Sequence, residues 1–368
     1  MSKLSFLSWN IENLGPKKVL ESNGQIFNFI SLVALHSKAD VIGLMEMPKS
    51  NPAKIQRGII HALNANTEGD WLGEILYPGQ KETYFILWRT DRGFKKIDSG
   101  ITEIDQNKNE LKFPTSSGKV GGRPAAYCVF KNDTNNSYFN YVSFHAPGPG
   151  GVFTPVGGNA LSKAWPLYKT NTAKKPVEAK NVIVGGDFNI VWNDKTKALL
   201  PIPPPPVQKT ASSTHASGRP VRNTTSKPEV TFVEKSRHDI CYGSLLDKDG
   251  PNLTARIKIS PTTLKNDIPG NKLNSLKDCL GKSYDHFFEK GLKTIDDKVL
   301  PVLTWLSNGT FKSIIETYKN EVAVNSTILN WEVPPHRWTD RLTKKDAWLF
   351  YRRLVSDHLP ISLIGTVK

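Results

Sequence analysis

The chain has 368 residues and a net charge of +15, because 49 Lys and Arg residues stand against 34 Asp and Glu residues. This length and a hydrophobic share of 38% allow a large core, and the lack of a long apolar run excludes membrane-spanning helices. Three widely spaced cysteines, Cys128, Cys241 and Cys279, argue against a disulfide framework or a zinc motif.

Two apolar runs in the first part of the chain each end in one polar residue. The run that begins at Leu4 ends in Asn10, and the run that begins at Ala39 ends in Glu46. Such runs are typical of buried strands whose ends line a crevice. Helices are predicted at 25–37 and 52–66. Because strand-like sequence begins by Leu4, we expect no signal peptide and a cytoplasmic protein, with secretion as an effector by a non-classical route as the alternative.

Further strands deliver polar residues in the middle of the chain. Glu82 is the first residue of a predicted strand that ends at Arg89. A later predicted strand ends at His145 and is followed by a Pro/Gly turn. After a helix predicted at 159–170, the run Gly-Gly-Asp-Phe-Asn presents Asp187 and Asn189. A two-residue spacing on an extended segment places both side chains on the same face.

Two insertions separate the remaining polar residues. A basic, proline-rich insertion is expected at about 195–280, and residues 195–284 hold 15 basic and 7 acidic side chains. It precedes a predicted buried strand with Asp285. A helical insertion with four tryptophans, expected to be core residues, is predicted at about 292–354 and precedes Asp357 and His358. Since polar motifs at both ends must meet, we predict a single domain over residues 1–368.

These residue types suit the hydrolysis of a phosphoester. The anionic phosphate repels hydroxide, so a catalyst needs a hard cation, a base for water and donors for the phosphate oxygens. Carboxylates and amide oxygens hold such cations, and histidines exchange protons near neutral pH. The sequence therefore indicates metal-assisted phosphoester hydrolysis.

In order and context, the motif set resembles the endonuclease/exonuclease/phosphatase superfamily, nearest to its deoxyribonuclease-like branch. The residues that carry the resemblance are Asn10, Glu46, His145, Asp187, Asn189, Asp285, Asp357 and His358. The resemblance implies an α+β fold, a four-layer α/β sandwich in which two stacked, mostly antiparallel sheets are flanked by helices. It also implies a Mg²⁺-dependent phosphodiesterase, with Mn²⁺ or Ca²⁺ as alternative ions.

The resemblance further implies a role for each residue. Its metal ligands would be Glu46, Asn10 and Asp357. Its catalytic residues would be Asp187, which orients the attacking water or a second metal, Asn189, which donates to phosphate, and two histidine–carboxylate pairs, His145 with Glu82 and His358 with Asp285. Arg123 matches an arginine that contacts phosphate.

Three alternatives remain open at this point. The segment Arg337–Leu342 resembles a motif of inositol polyphosphate 5-phosphatases, which would make Asp340 the partner of His358. We prefer Asp285, because its surroundings predict a buried strand whereas Trp338–Arg353 predicts a charged helix. The basic charge favours a nucleic-acid substrate, and together with the motif set it indicates a DNA endonuclease. A phosphatase of inositol phosphates or phospholipids and a non-catalytic nucleic-acid-binding module are the alternatives.

Overall fold

Two six-stranded sheets form the centre of the molecule in a computed structural model of the chain. The structure describes residues 3–77, 83–101, 113–114, 120–121, 125–133, 136–146, 169–172, 175–178, 181–193, 198–201, 252–257, 260–266, 273–325 and 331–367. The strands are β1 (Lys3–Asn10), β2 (Val41–Met47), β3 (Trp71–Leu76), β4 (Thr83–Arg89), β5 (Phe94–Ile101), β6 (Phe113–Pro114), β7 (Val120–Gly121), β8 (Ala126–Asn132), β9 (Tyr138–His145), β10 (Lys169–Thr172), β11 (Lys175–Glu178), β12 (Asn181–Asp187), β13 (Ile190–Asn193), β14 (Ala198–Pro201), β15 (Thr254–Arg256), β16 (Asp285–Lys290), β17 (Leu292–Val299) and β18 (Ile361–Val367).

Each large sheet has one parallel strand pair at its centre. The first sheet has the order β17-β18-β1-β2-β4-β3, and only β1 and β2 are parallel. The second has the order β15-β16-β12-β9-β8-β5, and only β9 and β12 are parallel. The remaining pairings are antiparallel, so the prediction of mostly antiparallel sheets is confirmed. Since the carboxyl ends of parallel neighbours lie at the same edge, each sheet presents two strand ends together.

The two sheets pack face to face through aromatic and aliphatic side chains. Phe6 on β1 and Tyr141 on β9 are stacked with ring centroids 6.0 Å apart, and the Tyr141 hydroxyl donates to the Leu7 carbonyl at 3.0 Å. Gly43 on β2 lies against Tyr141 and Ser143, where a Cβ atom would collide with both. The glycine therefore allows the central strands to approach each other.

Helices cover the outer face of the first sheet. In α2 the buried residues Ile26, Phe29, Ile30 and Val33 follow helical spacing and form one apolar face against the sheet. The helices are α1 (Pro16–Glu21), α2 (Gln25–Ser37), α3 (Pro52–Asn66), α4 (Val302–Asn308), α5 (Lys312–Asn325) and α6 (Lys344–Phe350). The predicted helices at 25–37 and 52–66 are confirmed with the same bounds. Two stacked sheets with flanking helices confirm the predicted sandwich.

Two segments that the sequence predicts to be helical contain polar strands instead. The predicted helix at 159–170 is wrong at its end, because residues 169–172 form β10 and pair with β11; residues 159–168 lie outside the described part of the chain. The helical insertion expected from 292 begins instead with β17, an edge strand whose exposed charges, such as Lys293 and Lys298, have the composition of a solvated helix.

The rest of that insertion is helical and contributes to the core. The charged helix expected from Trp338 begins only at Lys344 and continues into a π-helical turn, Tyr351–Val355. Trp338 and Trp348 are buried, and Trp305 and Trp331 pack against the same hydrophobic cluster. The four tryptophans are therefore core residues rather than an exposed stacking surface.

No helix in the described part of the chain is both long enough and apolar enough to span a membrane.

Candidate active site

The central strand ends bring polar side chains to one edge of the sandwich. Asn10 ends β1, and Glu46 is the penultimate residue of β2. His145 and Asp187 end β9 and β12 and are directly paired, while Asp285 at the start of β16 lies opposite Asp187. The fold therefore brings together five polar residues, each of which lies at one end of a separate apolar run in the sequence.

Glu46 reaches this cluster through an unfavourable backbone conformation. Its φ is +57°, and the pairing of β2 with β4 shifts register between Leu44 and Met47. The carboxylate accepts hydrogen bonds from Asn10 Nδ2 at 3.0 Å and from the Asn13 N–H at 3.1 Å. A left-handed conformation at a residue other than glycine costs about 1–3 kcal/mol, and such strain is concentrated at functional sites.

Asn10 joins two carboxylates through its amide nitrogen. Nδ2 donates to Glu46 Oε1 at 3.0 Å and to Asp187 Oδ2 at 3.2 Å, while Oδ1 accepts from the Glu12 N–H at 3.0 Å. The predicted metal ligand therefore directs its nitrogen, not its oxygen, toward the carboxylates. Through this nitrogen Asn10 positions Glu46 and Asp187, and its oxygen keeps one lone pair beyond the bond from the Glu12 N–H.

Asp187 and Asn189 form a tight turn at the end of β12. The Asn189 backbone N–H donates to Asp187 Oδ1 at 2.9 Å, and Asn189 Nδ2 donates to the Ala146 carbonyl at 3.0 Å. Asn189 has φ +52°, which asparagine tolerates better than most residues. Burial raises the pKa of Asp187, although the histidines His358 and His145 oppose this effect. Both residues thus line the site, and Asp187 is almost fully buried there.

His358 forms the predicted pair with Asp285. The two side chains are joined between Nδ1 and Oδ2 at 2.8 Å, and His358 Nε2 lies 3.6 Å from Asp187 Oδ2. Burial alone would lower the pKa of His358, but the carboxylates of Asp285 and Asp187 prevail and raise it well above its usual value. The other candidate partner, Asp340, is half-exposed and lies 3.8 Å from Arg341.

The backbone of His358 is held as firmly as its side chain. Its carbonyl accepts from Trp9 Nε1 at 3.0 Å and from the Tyr351 hydroxyl at 2.7 Å. Its N–H donates to the Ser356 hydroxyl at 3.0 Å, and that hydroxyl donates to the Asn10 carbonyl at 2.7 Å. These bonds tie the C-terminal motif directly to β1.

His145 stands between two carboxylates. Its Nε2 lies 3.6 Å from both Glu46 Oε1 and Asp187 Oδ2, which is near enough for electrostatic attraction but longer than a hydrogen bond. Its backbone N–H donates to the Tyr84 hydroxyl at 3.0 Å. The expected partner Glu82 and the expected phosphate ligand Arg123 lie outside the described residues.

Asp357 belongs to a charged group at the rim of the site. Arg352 donates to Glu12 at 3.0 Å and lies 3.8 Å from Asp357 Oδ2. Lys18 donates to three backbone carbonyls, including that of Glu12, and burial lowers the pKa of its ammonium group. Arginine and lysine thus stand beside the carboxylates at this rim.

A cleft of about 510 Å³ opens over these residues. Its lining also includes residues that the sequence does not single out: Thr263, Leu264, Lys265, Asn266, Gly281, Lys282 and Tyr284. Burial and the nearby Asp187 raise the pKa of Tyr284 to about 12, so its phenol stays protonated at neutral pH. No local pattern identifies this wall, because its two segments are brought together only by long-range backbone pairing.

The donor set in the cleft fits a hard divalent cation. Glu46 Oε1 and Asp187 Oδ2 both accept from Asn10 Nδ2, so two carboxylate oxygens converge, and Asp357 lines the same cleft. Oxygen ligands of this kind suit Mg²⁺. Asp187, Asp285 and His358 also lie close enough to hold an ion together, but Asp285 Oδ2 and His358 Nδ1 already bind each other. Glu46, Asp187 and Asp357 could therefore hold a cation without breaking the His358–Asp285 pair.

Comparison with known proteins gives a likeness in structure only. No family model matches the chain, and no curated protein matches it. An endonuclease/exonuclease/phosphatase protein from Bacteroides vulgatus has 13% identity and a TM-score of 0.54, with 100% of both chains covered. A protein of the same description from Bacteroides thetaiotaomicron has 14% identity and a TM-score of 0.51, covering 99% of this chain and 98% of its own.

A third solved structure is described as a mannosyl-6-phosphatase of Bacteroides thetaiotaomicron. It has 13% identity and a TM-score of 0.50, with 99% of each chain covered. All three likenesses extend over nearly the whole chain, and they agree with the two stacked sheets described above. The chain therefore has the DNase I-like fold that these solved structures share, with two stacked sheets and flanking helices.

Proposed function

We propose that the protein is a Mg²⁺-dependent phosphodiesterase that cleaves DNA as an endonuclease. The observation that carries this proposal is the convergence of Glu46, Asp187, His145 and the His358–Asp285 pair in one cleft. This set offers oxygen ligands for a cation, a carboxylate for water and two histidines for proton exchange. The net charge of +15 supports a polyanionic substrate.

Glu46 and Asp357 would hold the metal ion, with Asp187 beside them. When bound, the ion would neutralise charge on the phosphate and its leaving oxygen. Asn10 would fix Glu46 and Asp187 through its amide nitrogen. Its oxygen accepts one hydrogen bond, from the Glu12 N–H, and its second lone pair would make Asn10 a further ligand of the ion.

The remaining residues would move protons during the attack of water on phosphorus. Asp187 would orient the water, and His145, 3.6 Å from that carboxylate, would accept the proton. His358, kept protonated by Asp285, would return a proton to the leaving oxygen as the P–O bond breaks. Asn189 would donate to a phosphate oxygen through its amide.

Supercoiled plasmid is the substrate that tests this proposal. We expect nicking with Mg²⁺ and none with EDTA. His145→Ala and His358→Ala should each lower the rate about 10²-fold or more, the usual contribution of a general acid or base. Thermal unfolding of each variant checks that the fold is retained. Full nicking by both folded variants would refute the assigned roles.

A phosphomonoesterase is the second candidate, since the mannosyl-6-phosphatase named above shares this fold. Phosphate release from mannose 6-phosphate and from a soluble inositol phosphate should be measured beside the plasmid assay. Phosphate release with intact plasmid would move the assignment to a phosphatase. Metal-independent DNA binding without turnover of any substrate would instead indicate a binding module.

A further inference from the structure

One wall of the cleft is a two-stranded ladder attached to the His358 segment. The N–H groups of Thr262 and Thr263 donate to the Lys282 carbonyl at 2.8 and 2.9 Å, and the Lys282 N–H returns a bond to Thr263 Oγ1 at 2.7 Å. The Leu264 N–H donates to the Asp357 carbonyl at 2.7 Å, and the Lys265 N–H donates to the Cys279 carbonyl at 2.8 Å. The backbone of this wall is therefore fixed relative to the active site.

Two lysines on this ladder have no acidic partner among the described residues. Lys265 and Lys282 are exposed and line the cleft, and neither forms an ion pair with any described residue. By contrast, Arg352 at the neighbouring rim is already engaged by Glu12 and by Asn266. Free ammonium groups on a fixed backbone are suited to binding an anion as point charges.

The charges of the cleft are separated between its floor and this wall. The floor holds Glu46 and Asp187, with Asp357 at the rim beside them, and these carboxylates would repel a phosphate until a cation neutralises them. The wall carries Lys265 and Lys282 and would attract phosphate without any metal. A ligand that meets both regions must place one phosphate at the floor and a further anionic group at the wall.

We infer that Lys265 and Lys282 form a second anion subsite, which binds a phosphate next to the one that is cleaved. The ligand class is a polynucleotide chain, whose successive phosphates can reach the floor and the wall together. This inference rests on the proposed function, because the floor is its cleavage site. It assigns substrate selection to two residues of the basic insertion and predicts that a diester with a single phosphate is a poor substrate.

The test compares Lys265→Gln/Lys282→Gln with the control Lys293→Gln/Lys312→Gln. The control removes the same charge from exposed lysines that do not line the cleft. Binding of a fluorescein-labelled oligonucleotide is followed by anisotropy in EDTA over a salt series. We expect the cleft variant to bind about tenfold more weakly than the control. We also expect its log–log salt slope to be shallower by about 0.7–0.9, the value for one lost phosphate contact.

Cleavage provides the second readout. With Mg²⁺, kcat/KM on the oligonucleotide should fall about tenfold in the cleft variant, while kcat/KM on bis(4-nitrophenyl) phosphate should stay within about twofold of the control. Equal losses on both substrates would mean that the lysines contact the reacting phosphate, and that would overturn a second subsite. Binding that equals the control would overturn it as well.

Two further results separate this inference from the proposed function. If the wild type cleaves neither diester but oligonucleotide binding still depends on the lysine pair, the proposed function fails and the subsite stands. A soluble inositol bisphosphate is tested as a competitor of the oligonucleotide at equal phosphate concentration. If it competes only when both lysines are present, and binds more tightly than the oligonucleotide, the subsite serves a small polyphosphate. The polynucleotide assignment would then be wrong.

Discussion

Glu46 combines a strained backbone with the principal proposed metal-binding carboxylate. Asparagine tolerates a left-handed φ better than alanine does, and both substitutions remove the carboxylate. We therefore expect Glu46→Asn to exceed Glu46→Ala in unfolding free energy by about 1 kcal/mol, with plasmid nicking lost in both. Urea denaturation measures this difference. Equal stability of the two variants would show that the backbone at Glu46 is not strained in solution.

The His358–Asp285 pair gives folding stability a predictable pH dependence. The pKa of His358 is raised above its usual value of 6.5 in the folded state, so the pair stabilises the fold fully below about pH 6.5. This stabilisation is lost as the pH rises through the folded-state pKa. In EDTA, the difference in unfolding free energy between wild type and Asp285→Asn should be larger at about pH 6 than at about pH 9.

Urea denaturation at the two pH values provides the measurement. Asp340→Asn is the matched control, because this half-exposed carboxylate lies beside Arg341 and does not contact His358. A difference for Asp285→Asn that is constant with pH would contradict the assigned pairing.

Individual site residues are predictable where one polar residue ends an apolar run. This signal finds Asn10, Glu46, His145 and Asp187, because a buried strand carries its last side chain to the sheet edge. It does not reveal that the Asn10 nitrogen faces the carboxylates, since that orientation depends on the Glu12 N–H. Lys265 is missed because an exposed lysine in a loop has no distinctive local pattern.

At the scale of elements, a single buried hydroxyl joins the cleft wall to β16. Thr262 Oγ1 accepts from the N–H groups of Tyr284 at 2.9 Å and Asp285 at 3.0 Å, and the residue is fully buried. Thr262→Val keeps the shape but leaves both N–H groups without this acceptor. We expect it to lower the unfolding free energy by about 2 kcal/mol or more and to reduce plasmid nicking through displacement of Asp285.

Thr262→Ser is the control for that variant, because it retains the hydroxyl and removes one methyl group. It should cost about 1 kcal/mol or less and keep nicking close to wild type. Thermal or urea unfolding and the plasmid assay apply to both variants. If valine and serine have the same effect, the hydroxyl does not hold β16 in place.

Elements are predictable from sequence when their burial pattern is regular. The helices α2 and α3 have clear helical periodicity and begin and end as predicted. The edge strand β17 is mistaken for helix because its solvent-facing residues are charged, and its pairing with β18 comes from distant sequence. Pairing partners of this kind cannot be read from a local window.

For the whole molecule, the site exists only because the two ends of the chain meet. β18 pairs with β1, and the Ser356 hydroxyl donates to the Asn10 carbonyl across almost the full length of the sequence. Motifs at both ends of the chain allow this convergence to be predicted. The ladder that carries Lys265 and Lys282 depends on contacts within a long insertion, and the sequence offers no comparable marker for it.

The most direct test of the account is a plasmid-nicking titration with Mg²⁺ for wild type and Glu46→Gln. This substitution keeps the size and polarity of the side chain but removes its negative charge, so it weakens cation binding with little change in shape. We predict that wild type relaxes the plasmid only when Mg²⁺ is present and that Glu46→Gln needs far more Mg²⁺ or fails. Intact plasmid with folded wild-type protein at saturating Mg²⁺, or unchanged nicking by Glu46→Gln, would contradict metal-dependent phosphodiester cleavage at this site.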